Sequence, residues 1–147
     1  TAFEPPKDIE GAKQEIKLFC IDTFAASTGI RWGIALKGEP GLIGTAGYYR
    51  WAKEGARNAH MGYDLVREHR GKGIMREALS AIIDFGFRQM KLHRIQIQTD
   101  PRNAASMRLA EALGFKREGV LREDQLFRGK WVDDAVYSLL DWEWRRD

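Results

Sequence analysis

Residues 63–79 read YDLVREHRGKGIMREAL: an extended segment, a basic loop punctuated by two glycines, and the start of a helix. That order makes a place for an anion. Gly71 and Gly73 free the backbone to take conformations closed to other residues and to come close to a ligand, and the first N–H groups of a helix have no intrahelical acceptor. Arg70 and Lys72 add positive charge where the helix dipole is already positive, so a phosphate or pyrophosphate over residues 70–74 is the guest this spacing suits. The same residues also make an ordinary strand-to-helix turn with surface cations, and two glycines alone do not choose between these readings.

Other nucleotide signatures are excluded by what they require. A P-loop needs a lysine and a hydroxyl residue directly after its second spaced glycine, and a dinucleotide fingerprint needs a third glycine where this chain has Arg76. His60, His69 and His93 are far apart and fit no zinc-ligand pattern, so no catalytic metal is expected. Cys20 is the only cysteine and lies in an apolar helical pattern; it reads as a small core residue without a catalytic role, in keeping with a reducing compartment.

The elements that must position the loop follow from periodicity. After Pro5 and Pro6, with Asp8 as N-cap, Ile9, Ala12, Ile16, Phe19, Cys20 and Phe24 recur at helical spacing and predict an amphipathic helix. Residues 30–36 and 42–51 read as strands joined by the KGEPG turn, and residues 59–66 as a third strand leading into the glycine loop; closely joined, the three predict an antiparallel meander. Ile74, Met75, Ala78, Leu79, Ile82, Ile83 and Met90 give a long helix with one apolar face. The HRIQIQT segment then alternates as a strand that, reached through a helix, lies parallel to the one before the loop. Asn103 caps a further helix carrying Met107, Leu109, Ala110 and Leu113, which Gly114 ends, and residues 115–144 predict two strands joined around Arg128, Gly129 and Lys130.

At 147 residues, with 44% hydrophobic and 31% charged side chains and no repeat or linker, the chain suits a single domain over residues 1–147. A net charge of +3 is too small and too scattered to indicate direct nucleic-acid binding, though it suits an anionic cofactor. No apolar run is long enough for a bilayer and the first residues lack signal-peptide order, which predicts a cytoplasmic protein without a membrane partner. Opening at Thr1 rather than methionine, the sequence reads as a trimmed form of something longer.

Three segments in order, GYDLVREHRGKGIMREAL, NAASMRLAEALGFKREGVLRE and RGKWVDDAVYSLL, resemble the GNAT N-acetyltransferases, and within them the ribosomal-protein N-terminal acetyltransferase branch. The resemblance covers most of the chain. It implies a mixed α/β fold: a central mixed, mostly antiparallel sheet with helices on both faces. It also implies acetyl-coenzyme A as co-substrate, with its pyrophosphate on Arg70, Gly71, Lys72, Gly73 and Ile74 and its pantetheine arm along the backbone of Leu65 and Val66. Asn103 and Ser106 would face the same arm, although Asn103 also reads as a helix N-cap and Ser106 as a surface or back-bonding residue.

The chemistry so implied is direct attack of a neutral amine on the thioester in a ternary complex. Such an enzyme deprotonates an ammonium, stabilises an oxyanion and protonates a leaving thiolate. The resemblance puts the oxyanion donor at a backbone N–H near Val66. It makes Ser106 the acid, since the tyrosine that many members carry seven residues after the asparagine is Ala110 here. For the base, the family's usual glutamate is replaced by His60, with Glu54 in the preceding loop as the other candidate; a lone strand histidine also reads as packing and Glu54 as a surface carboxylate.

Two departures from the family pattern stand out. Glu68 puts an acid near the loop, and the strand and helix that the family places before the segment matching residues 3–28 are missing, which implies an N-terminally truncated domain. The expected acceptor is a protein or peptide N-terminal α-amine, ribosomal or other, taken by a monomer or homodimer. A small amine or antibiotic, or a non-catalytic coenzyme-A-binding module, are the alternatives. Trp32, Tyr48, Tyr49 and Trp51 on the early strands are either core or acceptor-groove walls.

Overall fold

The computed structural model describes residues 6–144. Asp8, with an extended backbone, accepts the Gly11 N–H at 2.7 Å and starts α1 (Ile9–Ile16). The helical path continues through a wider π turn (Lys17–Asp22) into the short α2 (Thr23–Ala25). The expected amphipathic helix is therefore present, but its apolar side is not core: Ile9 is 74% and Phe24 62% exposed, and Cys20 is half-buried instead of enclosed. The cause is position, since this segment reaches the sheet chiefly at the edge strand β1 and not over its centre.

The strands are β1 (Ile30–Ile34), β2 (Gly44–Ala52), β3 (Asn58–Leu65), β4 (Arg94–Thr99), β5 (Lys116–Phe127) and β6 (Lys130–Leu140), in the sheet order β1-β2-β3-β4-β6-β5. The meander expected from the sequence is present, with Ile30 opposite Tyr48 and Tyr49 opposite His60. α3 (Ile74–Arg88) then crosses over, so β4 lies parallel to β3 while β6 returns antiparallel to β4. Among the described residues no strand precedes β1, and its outer edge is the sheet's edge.

Alternation decides which side chains fill the core. Ile95 and Ile97 on β4 sit opposite Leu139 and Tyr137 on β6, and all four are at most 1% exposed beneath Leu79 and Ile83 of α3. Burying a side chain of this size contributes about 1.5–3 kcal/mol. The Tyr48 hydroxyl donates to the Ile82 carbonyl at 2.8 Å, and a Cβ on Gly86 would drive into that hydroxyl, so only glycine lets α3 come this close to β2. α4 (Ala104–Ala112) shares that face, and Gly114 (φ 89°) ends it: its N–H donates to Glu111 O and that of Phe115 to Ala110 O, both at 3.0 Å. The opposite face carries Arg31, Thr45, Tyr49, His60 and Asp64.

Candidate functional site

β3 and β4 are paired only at Asn58–Arg94, Ala59–Ile95 and His60–Gln96. Beyond that they part, β3 running on beside β2 to Leu65 and β4 beside β6 to Thr99. A wedge opens in the sheet. Its two walls present main-chain groups that have lost their parallel partner, which is what an extended amide-bearing ligand needs. Val66 does not contribute in the way anticipated: its N–H donates to Ile43 O at 2.8 Å, toward β2. Because main-chain groups alternate sides along a strand, it is Leu65 whose N–H and carbonyl face the wedge, and that carbonyl accepts the Arg70 Nε at 2.9 Å.

The glycine loop follows at the mouth of the wedge. A 3-10 turn (Arg67–His69) and extended Arg70 lead to Gly71 (φ 73°) and Gly73 (φ 80°), the latter serving as N-cap of α3. Both conformations favour glycine, and a Cβ on either would meet nothing within 4 Å, so the space above the loop is open. Among the described residues, the N–H groups from Gly71 to Arg76 find no acceptor. Six unpaired donors thus lie at the positive end of a fifteen-residue helix. Arg70 is tied back to Leu65, whereas Lys72 and Glu68 are exposed and make no ion pair among the described residues.

On the helix side of the wedge stands the first turn of α4. Asn103 accepts the Ser106 N–H at 3.1 Å, so its carbonyl oxygen is occupied in capping, while its amide N–H groups have no partner among the described residues. Ser106 Oγ lies 2.7 Å from the hydroxyl of Tyr63, a residue the sequence reading left without a role. The signal was available: Ala59, Met61 and Tyr63 alternate onto the face where α4 packs. Burial raises the Tyr63 pKa and the Ser106 hydrogen bond works against that rise, so the phenol is neutral at neutral pH. Ala110 is fully buried in the core.

His60 occupies the apex, as the last β3 residue paired with β4, and points to the face opposite Tyr63. Its ring lies 5.4 Å from that of Tyr49, and its Nδ1 is buried without a partner. Burial first, then the nearby Arg50, lowers its pKa, against a hydrogen bond to Gln98 that raises it; the imidazole is neutral at neutral pH. The Gln98 amide N–H donates to Asp124 at 3.2 Å, which leaves the Gln98 oxygen as the group able to accept from the imidazole. On the same face, but on β6, lies Asp134, a carboxyl 2% exposed that accepts from Gln125 and whose pKa burial raises.

Glu54 is set apart from this constellation. It sits exposed in the turn before Asn58, at the end of β3 away from Leu65 and the loop. β3 spans about 23 Å at 3.3 Å per residue, and the wedge opens away from that turn. The chemistry open to the site is therefore a proton acceptor on one face of the sheet, a hydroxyl pair on the other, and an anion cradle at the mouth between them. Among the described residues, no three His, Cys, Asp or Glu side chains are grouped to hold a metal ion, and no helix is long and apolar enough to cross a membrane.

Residues 1–116 match the acetyltransferase (GNAT) domain family. The probable N-acetyltransferase YjcK of Bacillus subtilis (strain 168) is 38% identical over 110 residues, covering 75% of this chain and 61% of that protein. The ribosomal protein uS5 alanine N-acetyltransferase of Escherichia coli (strain K12) is 32% identical over 106 residues, 72% of this chain and 55% of its own length. The chain thus spans less than two thirds of either relative. The crystal structure of the ribosomal-protein-S5-alanine acetyltransferase from Vibrio fischeri has a TM-score of 0.83 and 31% identity, over 99% of this chain and 81% of that one.

Proposed function

The chain belongs to the GNAT acetyltransferase family, and from that premise we propose that it transfers an acetyl group from acetyl-coenzyme A to the N-terminal α-amine of a protein or peptide. The observation that carries the reading is the parting of β3 and β4 directly below six unsatisfied N–H groups. Pyrophosphate suits the loop of Arg70, Gly71, Lys72, Gly73 and Ile74, where the space is open and the main-chain donors are unpaired. The amides of a pantetheine arm suit the Leu65 main chain and the free amide of Asn103. Acetyl-coenzyme A supplies the activated acyl group.

The chain's own residues divide the remaining work. The Leu65 N–H is directed to where negative charge develops on the acyl oxygen. His60 Nδ1, neutral and unpartnered, accepts the proton of the incoming amine, directly or through a water. Ser106 donates to the departing sulfur from the opposite face. The likeness to the uS5 alanine enzyme supports a protein terminus as the acceptor.

The test is thiol release from acetyl-coenzyme A in the presence of N-terminal peptides, polyamines or aminoglycosides. Turnover on peptides is the expected result. Turnover confined to polyamines or aminoglycosides would move the acceptor to a small amine, and tight coenzyme A binding with no turnover on any amine would make the protein a binding module.

A further inference from the structure

A serine hydroxyl by itself is a poor source of a proton. The thiol to be formed has a reference pKa of about 8.5 and a phenol one of about 10, whereas an aliphatic alcohol is far less acidic than either. A serine facing a leaving thiolate therefore works best as a conduit with a more acidic group behind it. Such a group is in place: the Tyr63 hydroxyl lies 2.7 Å from Ser106 Oγ, and among the described residues neither hydroxyl has another side-chain partner. Two separate elements fix that contact, β3 for Tyr63 and the first turn of α4, held by the Asn103 cap, for Ser106. Tyr63 is neutral at neutral pH and so has the proton to give.

We propose that Tyr63 is the proton source behind Ser106, and that the two hydroxyls form a relay to the leaving sulfur. The relay rests on the reading of Ser106 as the group that faces that sulfur. In it, the Ser106 O–H bond breaks as the S–H bond forms, and the Tyr63 O–H bond breaks as a new Ser106 O–H bond forms. The phenolate left on Tyr63 recovers a proton from water once the thiol has departed, so protons and charge balance over the cycle. Tyr63 acts through Ser106 and is a positioning and proton-supplying residue.

The test compares Y63F, S106A and the double variant by kcat, by KM for acetyl-coenzyme A, by calorimetric coenzyme A affinity and by the dependence of single-turnover rate on solvent deuterium fraction. Y63F is expected to lower kcat roughly 10- to 100-fold, the lower part of what a general acid contributes, with coenzyme A affinity within about twofold of the parent. The rate should bow with deuterium fraction in the parent, where two protons move, and fall on a straight line in Y63F. The double variant should lose no more than S106A, because both belong to one path. An unchanged kcat in Y63F, an unchanged deuterium dependence, or a double loss equal to the product of the two single losses overturns the relay. If S106A keeps full kcat, the fault lies in the role given to Ser106 and the relay falls with it. Should Y63F fail to fold, fluorotyrosine at position 63 keeps the hydroxyl and lowers its pKa; a changed kcat is then expected, and an unchanged one overturns the proposal.

Discussion

His60 and Gln96 are the last residues at which β3 and β4 run side by side. One step further the ladder ends, and everything assigned to the site lies at or past that point except Glu54. A parallel pair that stops after three couples leaves backbone donors and acceptors unpaired in the middle of a sheet. Such groups persist because a ligand or water satisfies them.

Gly71→Asp is expected to remove coenzyme A binding, by at least roughly 100-fold in calorimetry. The φ of 73° strains a residue bearing a Cβ, and the new carboxylate would stand among the six free N–H groups proposed to take the pyrophosphate. Retained affinity in a folded variant would remove pyrophosphate from the loop.

Ser106→Ala should lower kcat more than it raises the KM for acetyl-coenzyme A, since in the proposed role the hydroxyl acts only as the sulfur departs. An equal rise in KM with kcat intact would make it a binding contact. The cap is not at risk, because Asn103 holds the backbone N–H of residue 106 and not its side chain.

For His60, burial and Arg50 hold the pKa below the usual value, so in the proposed role of base it stays unprotonated through neutrality and the acid limb of kcat/KM lies below about 6.5. His60→Gln should lose that limb and most of kcat. The sign for stability follows: the unfolded chain binds the proton more readily, so this group's contribution is fully present above about pH 6.5 and is lost as the pH falls through the depressed folded value. A melting temperature that rises on acidification from 7 to 5.5 in the parent relative to His60→Gln contradicts this.

Gly86→Ala tests the packing that sets α3 on the sheet. The added Cβ collides with the Tyr48 hydroxyl, an overpacking of about 1–3 kcal/mol that lowers the melting temperature. Combining it with Tyr48→Phe should restore part of the loss, since the obstructing oxygen is removed.

Local chemistry made much of this legible in the sequence. The glycine loop, the Asp8 and Asn103 caps, the Gly114 stop and the alternation of β3 and β4 are each decided by residues within a few positions of one another. What the sequence did not disclose depends on distant partners. Tyr63 and Ser106 are 43 positions apart and meet only because α3 and α4 lie on the same face. The side of the strand to which Leu65 and Val66 turn their amides depends on the β2 register. Helical periodicity in residues 9–25 says that one side is apolar, not that it ends up against an edge strand with Ile9 and Phe24 in solvent.

Because successive side chains on β3 point to opposite faces, His60 and Tyr63 look out of the sheet in opposite directions with the gap between them. On the proposed reading, the two reactants need not share a vestibule. A long polypeptide arriving on the histidine side is not crowded by a bulky nucleotide anchored on the helix side, and each product has its own exit.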